Sequence, residues 1–398
     1  MSAAEPSPST KPASLGVVLS GGGARGAYEV GVLSYIFGDL TPEQRRGVSL
    51  DIISGTSVGA VNAAFLAGVS DNPRAGIHRL GSLWEKLELA DVLQFGVKQA
   101  LSLHRVLLGG SSATGIFDAA PLAHMVGGGM DWRAIHRNQK AGHFKALTVS
   151  ATHVSSGRPV VFVDAADSVA LPRSLPPQVV VRAERILPHH VLASGAIPVV
   201  FPPVRIRSDL YCDGGLRLNT PMAPAVHMGV EKMLIVGVSS ASGANEGLPP
   251  GKFPGATFLL GKVLNAFLLD HVNNDLDELA RINQMLEDGT AVYGPDFVAA
   301  MNREAEARGS APRRIVESLV VRPSSDIGAM ASEYLRRNQL RFGRILGRSF
   351  LRLLDVGEGA SSDLASYLLF DGGFAQILAD LGRQDAARER DRIVAFLS

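Results

Sequence analysis

Leu50-Asp51-Ile52-Ile53-Ser54-Gly55-Thr56-Ser57-Val58-Gly59-Ala60-Val61-Asn62-Ala63-Ala64 decides how the rest of the chain is read. Ile52 and Ile53 belong to a short apolar run that reads as a buried strand. The run breaks at Gly55, and from Ser57 onward small and apolar residues read as a buried helix. Strand, tight turn and helix follow one another, with Ser57 on the turn at the positive end of the helix. Glycine at 55 and 59 removes side chains that would collide where the strand and helix approach. The same residues also fit an ordinary helix start in which Ser57 is merely the N-cap. The flanking sequence decides between the two.

Upstream, Leu15-Gly16-Val17-Val18-Leu19-Ser20 reads as a first strand, followed at once by Gly21-Gly22-Gly23-Ala24-Arg25-Gly26. A helix comes next, with Ala27, Val30, Leu33 and Phe37 on its buried face. Three consecutive glycines between strand and helix present backbone N–H groups with no side chain in the way, a cradle for an anion. A phosphate loop would need a Lys-Ser/Thr pair after the glycines, and Arg25-Gly26 does not supply it. A dinucleotide fingerprint would need an acid closing the second strand, whereas Asp51 opens it. What remains is an oxyanion cradle one strand away from a serine nucleophile.

Downstream, residues 73–89 predict a helix around Ile77, Leu80, Leu83, Trp84 and Leu87. Residues 92–117 are apolar but irregular, which fits an acyl-chain cover or membrane-contacting flap, or a packed helical insertion. Residues 144–152 and 160–163 read as a β-hairpin around Ser156-Gly157-Arg158. Leu187 to Ala196 reads as a helix carrying His189-His190, and adjacent helical residues point apart, so at most one of them could serve a site. The strand Leu210-Tyr211-Cys212 ends at Asp213-Gly214-Gly215, a carboxylate on a tight turn. A helix over 220–229 and the strand Met233 to Val238 continue the alternation. The fold class is therefore α/β, a mostly parallel central sheet flanked by helices over residues 15–245.

Composition narrows the function. The 398 residues are 46% hydrophobic but only 6% aromatic, with mean hydropathy +0.15, so Ala, Val and Leu carry the apolar mass, as buried parallel strands require. A net charge of +1 argues against a nucleic-acid binder driven by global charge. Cys212 is the single cysteine, which excludes an internal disulfide and a cysteine-rich metal site. No carboxylate cluster has calcium-loop spacing, so neither a metal nor a cofactor is expected. Residues 1–14 are rich in Ser, Pro and Ala without an apolar core, and read as a disordered tail rather than a signal peptide. No uncharged apolar run reaches membrane-spanning length, and the expected compartment is the cytosol.

Beyond a Gly/Pro-rich linker at 243–254 the chain reads as mainly helical, a C-terminal region over 246–398. One strand near 315–321 is placed to join the sheet, and residues 258–269 form a strongly apolar helix. In residues 335–354, Arg337, Arg341, Arg344, Arg348 and Arg352 fall on one helical stripe opposite Leu335, Phe342, Leu346, Phe350 and Leu353. Such a helix can dock on anionic lipid at the inner face of a membrane, or pack its apolar side on the domain with the arginines solvated or paired.

The combination Gly21-Gly22-Gly23-Ala24-Arg25-Gly26, Gly55-Thr56-Ser57-Val58-Gly59 and Asp213-Gly214-Gly215 closely resembles the patatin-like phospholipases. Ala193-Ser194-Gly195-Ala196-Ile197-Pro198 with Phe201-Pro202-Pro203 resembles that family's block ahead of the aspartate, and order and spacing are intact over roughly residues 15–245. The resemblance implies a serine–aspartate dyad without histidine: Ser57 as nucleophile, Asp213 as base, the Gly21–Gly23 N–H groups as oxyanion hole, and Arg25 as support for that loop. Many members carry an acid where this chain has Ser20. The implied substrates are phospholipids, lysophospholipids or other acyl esters, while peripheral membrane association is what the arginine stripe would allow. Two other readings stay open on the sequence. One is a triad using His189, His190 or His227; the other is a non-catalytic membrane-surface or anion-binding scaffold whose glycine loop holds a headgroup phosphate.

Overall fold

A computed structural model of the chain describes residues 12–92, 117–171, 175, 178–240, 271–310, 312–338, 341–342 and 363–398. Its strands are β1 (Ala13–Leu19), β2 (Val48–Thr56), β3 (Ala146–His153), β4 (Pro159–Ala165), β5 (Val180–Ala183), β6 (Val204–Ile206), β7 (Asp209–Asp213), β8 (Lys232–Val236) and β9 (Glu317–Val321). The helices are α1 (Gly26–Leu33), α2 (Val58–Gly68), α3 (Pro73–Glu85), α4 (Leu89–Val92), α5 (Ala120–Gly129), α6 (Trp132–Lys140) and α7 (Pro188–Ser194). They continue with α8 (Met222–His227), α9 (His271–Tyr293), α10 (Phe297–Ala307), α11 (Ile327–Arg337), α12 (Asp363–Leu368), α13 (Gly372–Arg388) and α14 (Arg390–Leu397).

The strands form one sheet in the order β5-β4-β3-β2-β1-β8-β9, with the β6–β7 hairpin joined to β3. The pairs β1–β2, β1–β8, β2–β3, β4–β5 and β8–β9 are parallel; β3–β4, β3–β7 and β6–β7 are antiparallel. Period-two alternation splits the central strands between two cores. Leu15, Val17, Leu19 and Ile53 face the larger one, with residues of α1, α2, α3 and α13. Val18, Ile52, Met233 and Ile235 face the other, covered by Met222 and Ala225 of α8 and Leu279 of α9. Burial on both faces is why these strands read as continuous apolar runs rather than alternating ones.

The described residues beyond 270 pack into the same body. α13 lies across α1 at backbone distance: a Cβ on Gly31 would sit 1.9 Å from the Ala379 carbonyl oxygen, and one on Gly382 would sit 2.2 Å from that of Tyr28. Helices approach this closely only where a side chain is missing. The 92–117 expectation falls on residues of which 93–116 lie outside the described set, as do the 243–254 linker, the apolar run at 258–269 and the 1–11 tail. Among the described residues, no helix is long and apolar enough to cross a membrane.

Sheet register brings distant residues together. Thr56, the last residue of β2, pairs with Ser150 of β3, and Ala151 of β3 pairs with Asp213 of β7. Ser57 and Asp213, far apart in sequence, are thereby delivered to the same end of β3.

Candidate active site

Ser57 sits between β2 and α2 with φ 55° and ψ −125°. A non-glycine residue there costs about 1–3 kcal/mol and is held only by surrounding structure. Two glycines make the turn possible. A Cβ on Gly55 would lie 2.3 Å from the Gly59 carbonyl oxygen, and one on Gly59 would lie 2.4 Å from that of Leu19. Ser57 makes no capping bond to α2. Its hydroxyl instead donates to Asp213 Oδ2 at 2.6 Å, and its N–H donates to Ser194 Oγ at 2.8 Å. Ser194 Oγ in turn donates to the Ser150 carbonyl at 2.6 Å, so α7 pins the elbow to the end of β3.

Asp213 is fully buried. Its Oδ1 accepts the Gly215 N–H at 2.7 Å, leaving Oδ2 for Ser57. Burial pushes its carboxyl up to about 7, against the lowering effect of the Ser57 and Gly215 hydrogen bonds. A buried aspartate without a cation beside it is a far better proton acceptor than one in water.

The glycine loop lies over this pair. A Cβ on Gly21 would be 3.1 Å from Ser57 Cβ. The Gly21 N–H, expected among the oxyanion donors, donates to the Asn219 carbonyl at 3.2 Å and is therefore occupied. The N–H groups of Gly22 and Gly23 have no acceptor among the described residues, nor does that of Val58, the first residue of α2. Val58, Gly23 and Ser57 line one cavity. Gly23 has φ 58°, and a Cβ there would fall 2.2 Å from the Tyr367 carbonyl oxygen. Arg25 is buried, donates from Nε to Ser366 Oγ at 2.8 Å and lies 4.4 Å above the Tyr367 ring. α12 thus clamps the loop from its outer side. Ser20 Oγ hydrogen-bonds Thr220 Oγ1 at 2.9 Å, and Thr56 Oγ1 donates to the Leu218 carbonyl at 2.8 Å, which ties the 218–220 segment between the ends of β1 and β2.

The cavity measures about 270 Å³ and is walled by apolar side chains, among them Phe65, Leu80, Trp84, Leu122, Leu192 and Phe370. Behind it, Asn62 Nδ2 donates to Glu29 Oε2 at 2.8 Å and Trp84 Nε1 donates to Asn62 Oδ1 at 3.2 Å. Burial pushes Glu29 up to about 8, which keeps this fully enclosed carboxyl protonated at neutral pH.

The histidine candidates lie elsewhere. His190 Nδ1 accepts the Leu187 N–H at 3.0 Å, and His227 Nδ1 is 2.8 Å from the Ala223 carbonyl of its own helix. His189 lines a separate pocket, and no histidine is bonded to Ser57 or Asp213 among the described residues. Of the arginine stripe, Arg337 pairs with Glu333 at 2.6 Å and Arg341 with the buried Asp371 at 2.8 Å. Arg344, Arg348 and Arg352 lie outside the described residues. No group of His, Cys, Asp and Glu suited to a metal occurs among the described residues.

Ser194, Asn219, Ser366, Tyr367 and the Val58 N–H carry no assigned role in the sequence pattern, yet all surround the elbow or its glycine loop. Ser194 lies inside a recognisable block and the elbow itself marks the N–H after the serine, but no local pattern points to Asn219, Ser366 or Tyr367.

The sequence profile of the patatin-like phospholipases matches residues 17–226, just over half of the chain. Lysophospholipase nte1 of Aspergillus terreus is 39% identical over 77 residues, which is 18% of this chain and 5% of that protein. The patatin-like phospholipase domain-containing protein ZK370.4 of Caenorhabditis elegans is 38% identical over 79 residues, again 18% and 5%. The chain therefore spans about one-twentieth of the length of these two relatives. Among solved structures, human GIVD cytosolic phospholipase A2 with methyl gamma-linolenyl fluorophosphonate superposes with a TM-score of 0.39 at 13% identity, covering 97% of this chain and 59% of that one. The type III effector protein ExoU gives a TM-score of 0.26 at 18% identity, covering 90% and 77%. On the extent of the profile match, this chain belongs to the patatin-like phospholipase family.

Proposed function

We propose that the chain is a lipid acyl hydrolase in which Ser57 is the nucleophile and Asp213 the general base. The observation that carries this reading is the 2.6 Å hydrogen bond from the Ser57 hydroxyl to a fully buried carboxylate. As Ser57 Oγ bonds to the ester carbonyl carbon, its proton passes to Asp213 Oδ2 and the carbonyl oxygen becomes an oxyanion. We assign the N–H groups of Gly22, Gly23 and Val58, open among the described residues, as the donors to that charge, each worth on the order of 10²–10³ in rate. The positive end of α2 stabilises the same charge. Collapse of the intermediate expels the alcohol, which takes the proton from Asp213, and leaves an acyl-Ser57 ester. Water, deprotonated by the same carboxylate, then releases the fatty acid.

The apolar cavity supports an acyl chain rather than a polar acid as the group presented to Ser57. The names of the relatives point to phospholipid or lysophospholipid esters. Turnover of a phospholipid and lysophospholipid panel by the wild type, and its loss in Ser57→Ala with the fold intact, is the expected outcome. A fluorophosphonate should label Ser57, since a loop that only binds anions has no activated serine. Undiminished hydrolysis by Ser57→Ala would end this reading.

A further inference from the structure

A second pocket, of about 510 Å³, opens at the start of α7 and is lined by Glu184, Arg185, His189, His190, Arg205 and Arg207. Three guanidiniums and one carboxylate line it. Glu184 Oε2 accepts from Arg207 Nη2 at 2.7 Å. Arg185 touches only the His136 ring nitrogen at 3.1 Å, and Arg205 makes one long bond, 3.4 Å, to the Ser208 carbonyl. Among the described residues neither Arg185 nor Arg205 has a carboxylate partner. Arg207 holds the turn between β6 and β7 at φ 55°, where glycine would be least strained.

A buried donor at the pocket wall is also unsatisfied. Because His190 Nδ1 accepts from the Leu187 N–H, the neutral ring carries its proton on Nε2. That N–H has no hydrogen-bond acceptor among the described residues, where Glu184 Oε1 stands 3.9 Å away. Leaving a buried donor unpaired is unfavourable. An anion that draws Arg207 toward itself would release Glu184 to accept from His190.

We propose that this pocket binds a phosphate group, free or as the terminal phosphomonoester of a lipid headgroup. Forked guanidinium donors converging on a concavity with a surplus of positive charge match the several oxygens of a phosphate dianion better than one carboxylate. The pocket is separated from the elbow by the length of α7, whose far end carries the Ser194 that holds Ser57. The two pockets share no lining residue.

The test titrates inorganic phosphate into the wild type and into Arg185→Ala/Arg205→Ala by calorimetry. Both side chains are exposed and lie outside the proposed catalytic machinery. Circular dichroism should show the variant folded, and its hydrolysis of a soluble short-chain ester should match the wild type. Binding is expected to weaken about 100-fold in the double variant, tenfold per guanidinium, equivalent to about 1.4 kcal/mol each. A second arm floats both proteins with phosphatidylcholine vesicles, with and without phosphatidic acid. Flotation specific to phosphatidic acid, competed by free phosphate and lost in the variant, assigns the lipid source. Phosphate binding without flotation assigns the soluble one. Absence of binding to both probes, or equal binding by both proteins, overturns the proposal. Neither readout depends on turnover, so failure of the hydrolase reading would be seen separately.

Discussion

Replacing Asp213 with asparagine should make the protein more stable as it makes it inactive, and the gain should depend on pH in a defined way. The side chain is isosteric: Oδ1 can keep the Gly215 N–H, and the amide nitrogen can donate to Ser57 Oγ. The change removes a group whose folded-state pKa is raised by burial from 3.8 to about 7. A raised carboxyl pKa means that the folded state holds the proton more tightly than the unfolded chain, so wild-type stability falls as pH rises from about 4 to about 7. Below that window the acid and the amide are equivalent. Above it, at pH 8, the asparagine variant should be more stable by about 4 kcal/mol, and inside it, at pH 5, by about 2 kcal/mol. Glu29 has the same sign but is present in both proteins and cancels in the difference. Urea unfolding followed through Trp84 and Trp132 at the two pH values measures this, and ester turnover by the variant should drop by at least about 10²–10⁴. A stability difference that does not change with pH, or a variant less stable than wild type at pH 8, would refute the claim that Asp213 is held near neutrality by burial.

Two other substitutions probe the supports. Gly23→Ala forces a Cβ onto the Tyr367 carbonyl at a positive φ, so it should lower turnover at least about 100-fold, the worth of one oxyanion donor. Gly22→Ala meets side chains alone, closest the Val238 methyl at 2.5 Å, and should cost less; equal losses would show that the loop's position does not depend on α12. Ser194→Ala leaves the Ser57 N–H unpaired in a buried setting, with an expected destabilisation of about 1–3 kcal/mol and a fall in kcat with little change in KM. Unchanged kcat would mean that the elbow keeps its geometry without α7.

The parts of this architecture that rest on local pattern were readable from the residues. Strands such as Leu15–Leu19 announce themselves by buried apolar runs, and Gly55 and Gly59 mark a turn because the backbone geometry admits nothing larger. The hairpin about Gly157 follows from short-range turn chemistry, and β3 and β4 pair around it. Asp213 stood out only as an Asp-Gly-Gly turn, and its link to Ser57 came from a family resemblance, since no local rule pairs residues 156 apart. The clamp of Arg25 on Ser366 was beyond reach for the same reason: 341 residues separate partners that only the packed sheet and helices bring together. The histidines, chemically attractive as bases, are held elsewhere, and nothing in their spacing said so. The Gly21 N–H reads as an open donor in sequence because an acceptor arriving from residue 219 leaves no trace in the loop's own residues.

A carboxylate without a histidine can serve as base only if water is kept from it, and two different features could do that. One is the substrate, which would strip solvent from the site as it fills the cavity. The other is the scaffold. In this chain Asp213 is fully buried by β7 lying against β3, before any ligand arrives, whereas the apolar cavity is lined by Ser57 and not by Asp213. On the proposed mechanism, the basicity of the carboxylate is therefore set by its burial in the fold and is already present before substrate binds. The pH profile of kcat/KM reports groups of the free enzyme, and that of kcat reports those of the substrate complex. Both should rise with pH through the same apparent value of about 7. If the value from kcat were displaced upward by a unit or more from that of kcat/KM, the substrate rather than the sheet would be supplying the desolvation, and strand register would not be what makes this aspartate a base.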